Sequence, residues 1–267
     1  MELWMLGGDR RSFWTARALQ AEGHAVHTFR VPGRTDEPLP ETVRHMILPM
    51  PCLREGKIPA TEPFAPAAAL SRLSSGSFVC GGLLERLGLP ADVRAAELYG
   101  AEPMTTQNAV ATAEGALAEA IVHTDGTLHA SRCLVLGFGR VGLALAQRLR
   151  GLSARVTVAA RRTAARAQAE ALGFASDVLG SYGRGLAYDY VFNTVPAPVL
   201  SARQLACLPS DCLLLELASA PGGFSREEAQ RLGLRTVYAP GLPARCCPRT
   251  AGTAYAQAIL NVLEEEA

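Results

Sequence analysis

The sequence predicts an α/β chain built from two doubly wound parallel-sheet domains. Three observations carry that expectation. Short apolar runs alternate with helix-length segments, most runs end at Gly or Pro, and a glycine-rich turn joins one run to a helix near the middle of the 267 residues. Composition agrees: 49% of residues are apolar and 19% charged, as in globular proteins.

The first segment, ELWMLGGDRRSFWTARALQAEGHAVHTFRV, reads strand, turn, helix, strand. Leu3 to Leu6 end at Gly7-Gly8, a helical pattern runs through Phe13, Ala16, Ala18 and Leu19 to Gly23, and AVHTF follows. Residues 31–42, rich in Pro, Gly and charge, form a loop, while HMILPMP and SFVCGG are further short strands. A first α/β domain over residues 1–104 results. TTQNAVATAEGALAEAIVHTD reads as a connector helix over 105–127. Beyond it CLVLG, ARVTVAA, YDYVFNT, CLLLELAS and RTVYAPG are strands of a second domain over 128–245, with helices between them. TAGTAYAQAILNVLEEE is a last helix within 246–267, with Ala256, Ile259, Leu260 and Leu263 at helical spacing. It is expected to return to the first domain and, with the connector, to floor the space between domains.

Several function classes lose support. A net charge of +1 gives nucleic acid no electrostatic attraction. No apolar stretch approaches the roughly 20 residues that span a bilayer, and MELWMLGGDRR reads as a strand start rather than a signal peptide. The seven cysteines show no CxxC spacing and read as reduced thiols. Cys246 and Cys247 are adjacent, yet all five histidines precede residue 130, so no metal site is expected.

The most informative stretch is LVLGFGRVGLALA, residues 134–146. Its GxGxxG follows a β-type run, opens an apolar helix, and is followed by ARVTVAA, which completes a βαβ unit of about 30 residues. That is the Rossmann dinucleotide-binding arrangement. Gly137 permits the turn, Gly139 lets backbone approach a pyrophosphate, and Gly142 lets helix and strand close together. Gly137, Phe138, Gly139, Arg140, Val141 and Gly142 are therefore the expected phosphate-side residues. The second strand ends not in an acid but in Arg161, Arg162 and Thr163, which suit a ribose 2′-phosphate and so NADP rather than NAD. Thr194 and Pro196, at the end of YDYVFNT, complete the expected cofactor set. GGDRR at residues 7–11 lacks the third glycine; there Arg10 is a candidate carboxylate ligand.

Two familiar proton relays are missing. D-2-Hydroxyacid dehydrogenases place a histidine after the nucleotide domain, and none exists beyond residue 129. Shikimate dehydrogenases use a lysine and aspartate in the first domain, and Lys57 stands alone in a Pro-rich loop. Polar groups at the later strand ends include Asn193, Thr194, Ser219, Arg245, Arg249 and Thr250. Glu114 shares a helical stripe with Leu117 and Ile121, and is either a helix-end charge or a buried acid/base group.

With these residues in view, the chain resembles the family of dipicolinate synthase A subunits of spore-forming bacteria. The resemblance is carried by GGDRR, by NAVATAEGALAEAIVHTDGTLHASRCLVLGFGRVG, and by VFNTVPAPVL, LELASAPGG and APGLPARCCPRTAG. Glu216 stands where the family pattern LDLAS has aspartate, and Arg249 where lysine is common. The resemblance implies oxidation of a dihydrodipicolinate-type lysine-pathway intermediate to dipicolinate, with NADP accepting hydride. It also implies a partner, the flavoprotein-like B subunit, together with an oligomeric assembly and a role in the mother-cell cytoplasm during sporulation. For that chemistry Arg249, Thr250 and Asn193 are the expected carboxylate ligands, and Glu114, or a water it orders, the proton acceptor. Two alternatives stand beside it: a non-catalytic NADP-binding scaffold for a flavoprotein, and a shikimate-dehydrogenase-like reductase of another small carboxylate.

Overall fold

The computed structural model describes residues 1–181 and 187–265. The chain begins β1 (Glu2–Leu6), α1 (Arg10–Ala21), β2 (Ala25–Phe29), β3 (His45–Ile47), α2 (Ala67–Leu70), β4 (Phe78–Gly81) and β5 (Arg94–Glu97). It continues with α3 (Met104–Val122), β6 (Arg132–Leu136), α4 (Arg140–Gly151), β7 (Arg155–Ala160), α5 (Thr163–Ala171) and β8 (Ala175–Val178). The last elements are β9 (Tyr190–Asn193), α6 (Ala202–Leu205), β10 (Leu213–Glu216), α7 (Arg226–Arg231), β11 (Arg235–Tyr238), α8 (Leu242–Cys246) and α9 (Pro248–Glu265). Residues 266 and 267 of the expected C-terminal helix lie outside the described residues.

Two compact units emerge: Met1–Asn108 with the chain from Pro243 onward, and Ala109–Leu242. The divisions fall inside α3 and α8, not at residues 104 and 245, and burial explains why. Met104 is in the core of the first unit, whereas Ala113, Ala116 and Ala120 of the same helix, and Leu242 of α8, are in the core of the second. α3 also ends five residues before the expected 127. The Thr124 hydroxyl donates to the Ala120 carbonyl at 2.9 Å, and Asp125-Gly126 turns the chain away.

In the first unit, the described strands form a parallel sheet in the order β2-β1-β3-β4-β5. Alternation along β1 explains its two covered faces: Leu3 and Met5 join one cluster, Trp4 and Leu6 another. The first cluster is closed by α1 and α9, through Leu19, Ile259 and Leu263. Burying such side chains is worth about 1.5–3 kcal/mol each. The helices approach closely because residue 252 is Gly: a Cβ there would lie 2.5 Å from the Arg11 carbonyl oxygen. Thr15 Oγ1 donates to the Gly252 carbonyl at 3.0 Å, and the Tyr255 hydroxyl donates to the Leu48 carbonyl at 2.6 Å. β5 escapes the sequence pattern, because RAAE is an edge strand with little apolar signal.

In the second unit, the described strands run parallel in the order β11-β10-β9-β6-β7-β8. The chain starts at β6, moves outward to β8, then returns to β9 on the other side of β6. This is the Rossmann order, with its switch point between β6 and β9. β6 and β9 are near-continuous apolar runs, as strands covered on both faces require. β8, with sequence ASDV, is a polar edge strand that periodicity does not reveal.

Gly252→Ala is expected to lower unfolding stability by about 1–3 kcal/mol, because the new methyl meets backbone that cannot rotate away. Urea denaturation monitored by circular dichroism measures this.

Candidate functional site

In the second unit, the carboxyl ends of β6, β7 and β9 open into a groove of about 760 Å³. Its floor is the turn from β6 into α4. Gly137 has φ +93°, and a Cβ there would lie 2.5 Å from Thr194 Oγ1. Gly142 sits under that turn, where a Cβ would come within 2.2 Å of the Gly137 carbonyl oxygen. Gly139 is different: nothing lies within 4 Å of a Cβ built there. Two glycines are thus demanded by the protein's own packing, and the third leaves open space above the start of α4. Gly139 is the N-cap of that helix, and no side chain caps it. The first N–H groups of a helix have no intrahelical partner, and here the positive end of the helix dipole opens at the groove, an arrangement that suits an anionic phosphate group.

The remaining glycine-loop residues divide by environment. Phe138 is buried and meets Phe174 edge-on, with ring centroids 6.2 Å apart. Arg140 is exposed in the first turn of α4, and Val141 is half-buried. Thr194 Oγ1 donates to the Leu136 carbonyl at 2.8 Å, so that hydroxyl buttresses the glycine turn from behind. Pro196 lines the groove with Val195 and Val199.

At the end of β7, Arg161 and Arg162 line the groove and are exposed. Among the described residues, neither guanidinium is in an ion pair, and no carboxylate lines this groove. Thr163, also exposed, begins α5. Sequence reading misses the residue that shapes this turn. Arg166, one helical turn after Arg162, donates to the Ala160 and Arg161 carbonyls, both at 2.9 Å, and to Thr163 Oγ1 at 3.1 Å. The i, i+4 spacing from Arg162 is the signal that could have found it. These features fit a dinucleotide: an uncapped helix start, an open glycine, and exposed guanidiniums at the end of β7.

Asn193 departs from its expected role as a carboxylate ligand. It has no exposed surface. Its Nδ2 donates to Glu216 Oε1 at 2.6 Å and to the Val195 carbonyl at 2.9 Å, while Oδ1 accepts from the Val195 amide at 3.1 Å. Glu216 is buried too, and accepts the amides of Ala218 at 3.1 Å and Gly223 at 2.7 Å. The Gly223 carbonyl in turn receives the amides of Val199 and Leu200, at 2.8 and 2.9 Å. The motifs VFNTVPAPVL and LELASAPGG are therefore joined by a buried carboxylate–amide lock that shapes one wall of the groove. A Cβ at Gly223 would lie 2.3 Å from Asn193 Nδ2, so the lock requires glycine at that position.

Glu114 is corrected as well. On α3 its side chain is 54% exposed and pairs with Arg148 Nε at 3.2 Å. Ten residues into α3 and half-exposed, it is neither a helix-end charge nor a buried acid. Arg249 and Thr250 lie exposed in the first turn of α9 in the first unit, with the Arg249 guanidinium 5.6 Å from the Trp14 ring centre. Asn193 and Glu114 belong to the second unit and Arg249 and Thr250 to the first, so neither unit assembles the four by itself. Arg10 reaches the Arg245 carbonyl at 3.2 Å. Among the described residues, no group of three or more His, Cys, Asp or Glu gathers to hold a metal, and no helix is long and apolar enough to cross a membrane.

No protein-family model matches the chain. The A subunit of dipicolinate synthase from Bacillus subtilis (strain 168) is 33% identical over 192 residues, which are 71% of this chain and 64% of that relative. The match thus spans less than two thirds of the curated relative's length. The crystal structure of the dipicolinate synthase A subunit from Bacillus halodurans superposes with a TM-score of 0.86, at 26% identity, over 98% of this chain and 97% of that one. The chain is a relative of the dipicolinate synthase A subunits. The crystal structure of the Bacillus subtilis protein agrees, with a TM-score of 0.84 and 27% identity over 99% of this chain and 96% of that one. A transhydrogenase from Sinorhizobium meliloti, at 16% identity and a TM-score of 0.68 over 98% and 94% of the two chains, shares the fold.

Gly142→Ala is expected to displace α4 from β6, lowering stability by about 1–3 kcal/mol and disturbing the groove. Gly139→Ala, placed in open space, should leave stability within about 0.5–1 kcal/mol of wild type. Comparison of the two by thermal denaturation separates the packing glycine from the groove-facing one.

Proposed function

We propose that the chain is an NADP-dependent oxidoreductase working as the A subunit of a dipicolinate synthase. In this reading it oxidises a dihydrodipicolinate-type intermediate to dipicolinate, in the mother-cell cytoplasm during sporulation, beside a flavoprotein-like B subunit. The observation that carries the cofactor choice is the pair Arg161 and Arg162 at the end of β7, with no ion-pair partner and no groove-lining carboxylate among the described residues. An acid at that place would accept from a ribose 2′-hydroxyl; guanidiniums instead attract a 2′-phosphate. The dipicolinate synthase relatives support the substrate class.

Gly139 and the α4 start would hold the pyrophosphate, Arg161 and Arg162 the 2′-phosphate, and Arg166 would keep their turn in place. When bound, NADP supplies a hydride acceptor. Converting the dihydropyridine to the pyridine releases a hydride and a proton, and aromaticity supplies much of the driving force. The protein's task is then mostly orientation, for which well-placed binding groups contribute on the order of 7–11 kcal/mol. The Asn193–Glu216 lock keeps the wall from Val195 to Leu200 in register for that purpose.

One observation favours a second reading. The described groove lining contains no His, Lys, Asp or Glu, so no side chain there is suited to general acid/base work at neutral pH. A cofactor-binding scaffold whose chemistry is completed by a partner fits that fact. Turnover by the purified chain alone would eliminate the scaffold; turnover only once the B subunit is added would support it.

The double variant Arg161→Ala, Arg162→Ala should weaken NADP binding by about 10–100-fold and leave NAD within about threefold of wild type, as expected for lost charge-assisted bonds. Calorimetric titration measures both. Equal losses for the two nucleotides, or a wild-type preference for NAD, would contradict the cofactor assignment.

A further inference from the structure

The first unit has its own ligand-binding geometry, at a place the glycine loop does not explain. Its sheet order β2-β1-β3-β4-β5 reverses direction between β1 and β3. Ligands of open α/β sheets settle at such switch points, outside the carboxyl ends of the strands. A cavity of about 500 Å³ lies there, bounded by Gly8 and Asp9 after β1, Met50 and Pro51 after β3, and the segment carrying Arg54 and Lys57.

That segment, REGKIPA, is built for its position. Arg54 and Lys57 exchange backbone hydrogen bonds of 2.8 and 2.9 Å, with Glu55 at φ 50° and Gly56 at φ 74° between them. The result is a two-residue hairpin turn, whose flanking side chains stand next to one another. The hairpin is fastened to the sheet by the Gly8 amide, which donates to the Pro59 carbonyl at 2.6 Å. Gly7 has no room for a side chain, since a Cβ would lie 2.2 Å from that same carbonyl oxygen. The glycines of GGDRR thus admit this segment against the end of β1. They do not form a phosphate loop, because the Gly8 N–H is already used.

Charge completes the picture. Arg54 and Lys57 are exposed at the cavity and, among the described residues, neither side chain is in an ion pair or a hydrogen bond. Two carboxylates face the same space. Asp9 is neutralised by Arg11, whose Nε and Nη2 donate to it at 2.9 and 2.8 Å, although the charge of Arg54 also reaches it. Glu55 sits exposed on the turn. Asp9 also caps α1 by accepting from the Arg11 amide at 3.0 Å, which takes a backbone donor that a phosphate would use. What remains is a pair of side-chain cations over a partly apolar cavity with Pro49, Met50 and Pro59 in its walls. That chemistry suits a small planar carboxylate.

We propose that this crevice is the carboxylate-binding site of the chain, with Arg54 and Lys57 as its ligand pair. The identity of the carboxylate as a pyridine dicarboxylate rests on the function proposed above; the place and the charge do not. Calorimetric titration of the full chain with dipicolinate tests the site, with NADP titrated separately. Arg54→Gln and Lys57→Gln should each weaken dipicolinate about tenfold or more, with NADP affinity kept within about twofold. Arg44→Gln, the same charge change before the opposite end of β3, should alter neither. The proposal is overturned if the Arg54, Lys57 double variant binds dipicolinate like wild type, or if Arg44→Gln weakens it equally. It is also overturned if inorganic phosphate binds more tightly than dipicolinate, or if wild type shows no dipicolinate heat up to about 10 mM. Failure of NADP to bind would instead strike the function proposed above, and leaves the dipicolinate titration a valid test of the site.

Discussion

The second unit is organised around the space that Gly142 does not fill. A side chain there would begin 2.2 Å from the Gly137 carbonyl oxygen, so α4 can start directly beneath the end of β6 only because residue 142 is glycine, while Gly137 above it takes φ +93°. From that contact follow the direction of α4, the aim of its uncapped amino end, and the empty space over Gly139. Thr194 holds the same turn from β9, and the Asn193–Glu216 lock fixes the loop that follows. The groove is therefore a consequence of backbone packing, with the chemistry left to the few side chains at its rim.

Much of this is legible in the sequence, for reasons that can be stated residue by residue. The β6–α4–β7 unit shows itself because covered parallel strands are continuous apolar runs and because glycine spacing reports close backbone contacts. Arg161 and Arg162 are legible as cations at a strand end. The edge strands β5 and β8 are not, since RAAE and ASDV carry little apolar pattern and owe their conformation to a neighbouring strand. Asn193 misleads for a related reason. A polar residue at a strand end looks available for a ligand until its partner is known, and Glu216 lies 23 positions away in the chain. Glu114 misleads similarly, because a helical stripe does not reveal that this position is half-exposed and paired with Arg148. Lys57 reads in sequence as a lone cation in a Pro-rich loop; the two-residue turn that sets it beside Arg54 is a backbone fact.

The two units use the amides of their glycine-rich turns differently. In the second, main-chain N–H groups at a helix start are left uncapped over a cavity. In the first, the comparable helix is capped by its own Asp9, and the glycines before it serve to seat a hairpin instead. Similar glycine-rich turns after a first strand thus have opposite consequences, decided by whether the amides are already hydrogen-bonded. The half-buried Asp9–Arg11 pair adds a pH dependence to the first unit. Burial alone would raise the Asp9 pKa, but the Arg11 hydrogen bonds and charge outweigh it and hold it below the ordinary 3.8. Its stabilising contribution is therefore complete above that value and is lost as pH falls through the lower folded value.

The proposed oxidoreductase function requires a nicotinamide nucleotide along the glycine turn and the start of α4. Amide resonances of the isotopically labelled chain, followed by NMR during titration with NADP, test it most directly. Saturable shifts are expected, centred on Gly137–Gly142 and on Arg161–Thr163, with the Gly7–Asp9 turn unmoved. Shifts that leave the residue 137–142 turn untouched, or none at all at saturating nucleotide, would contradict it.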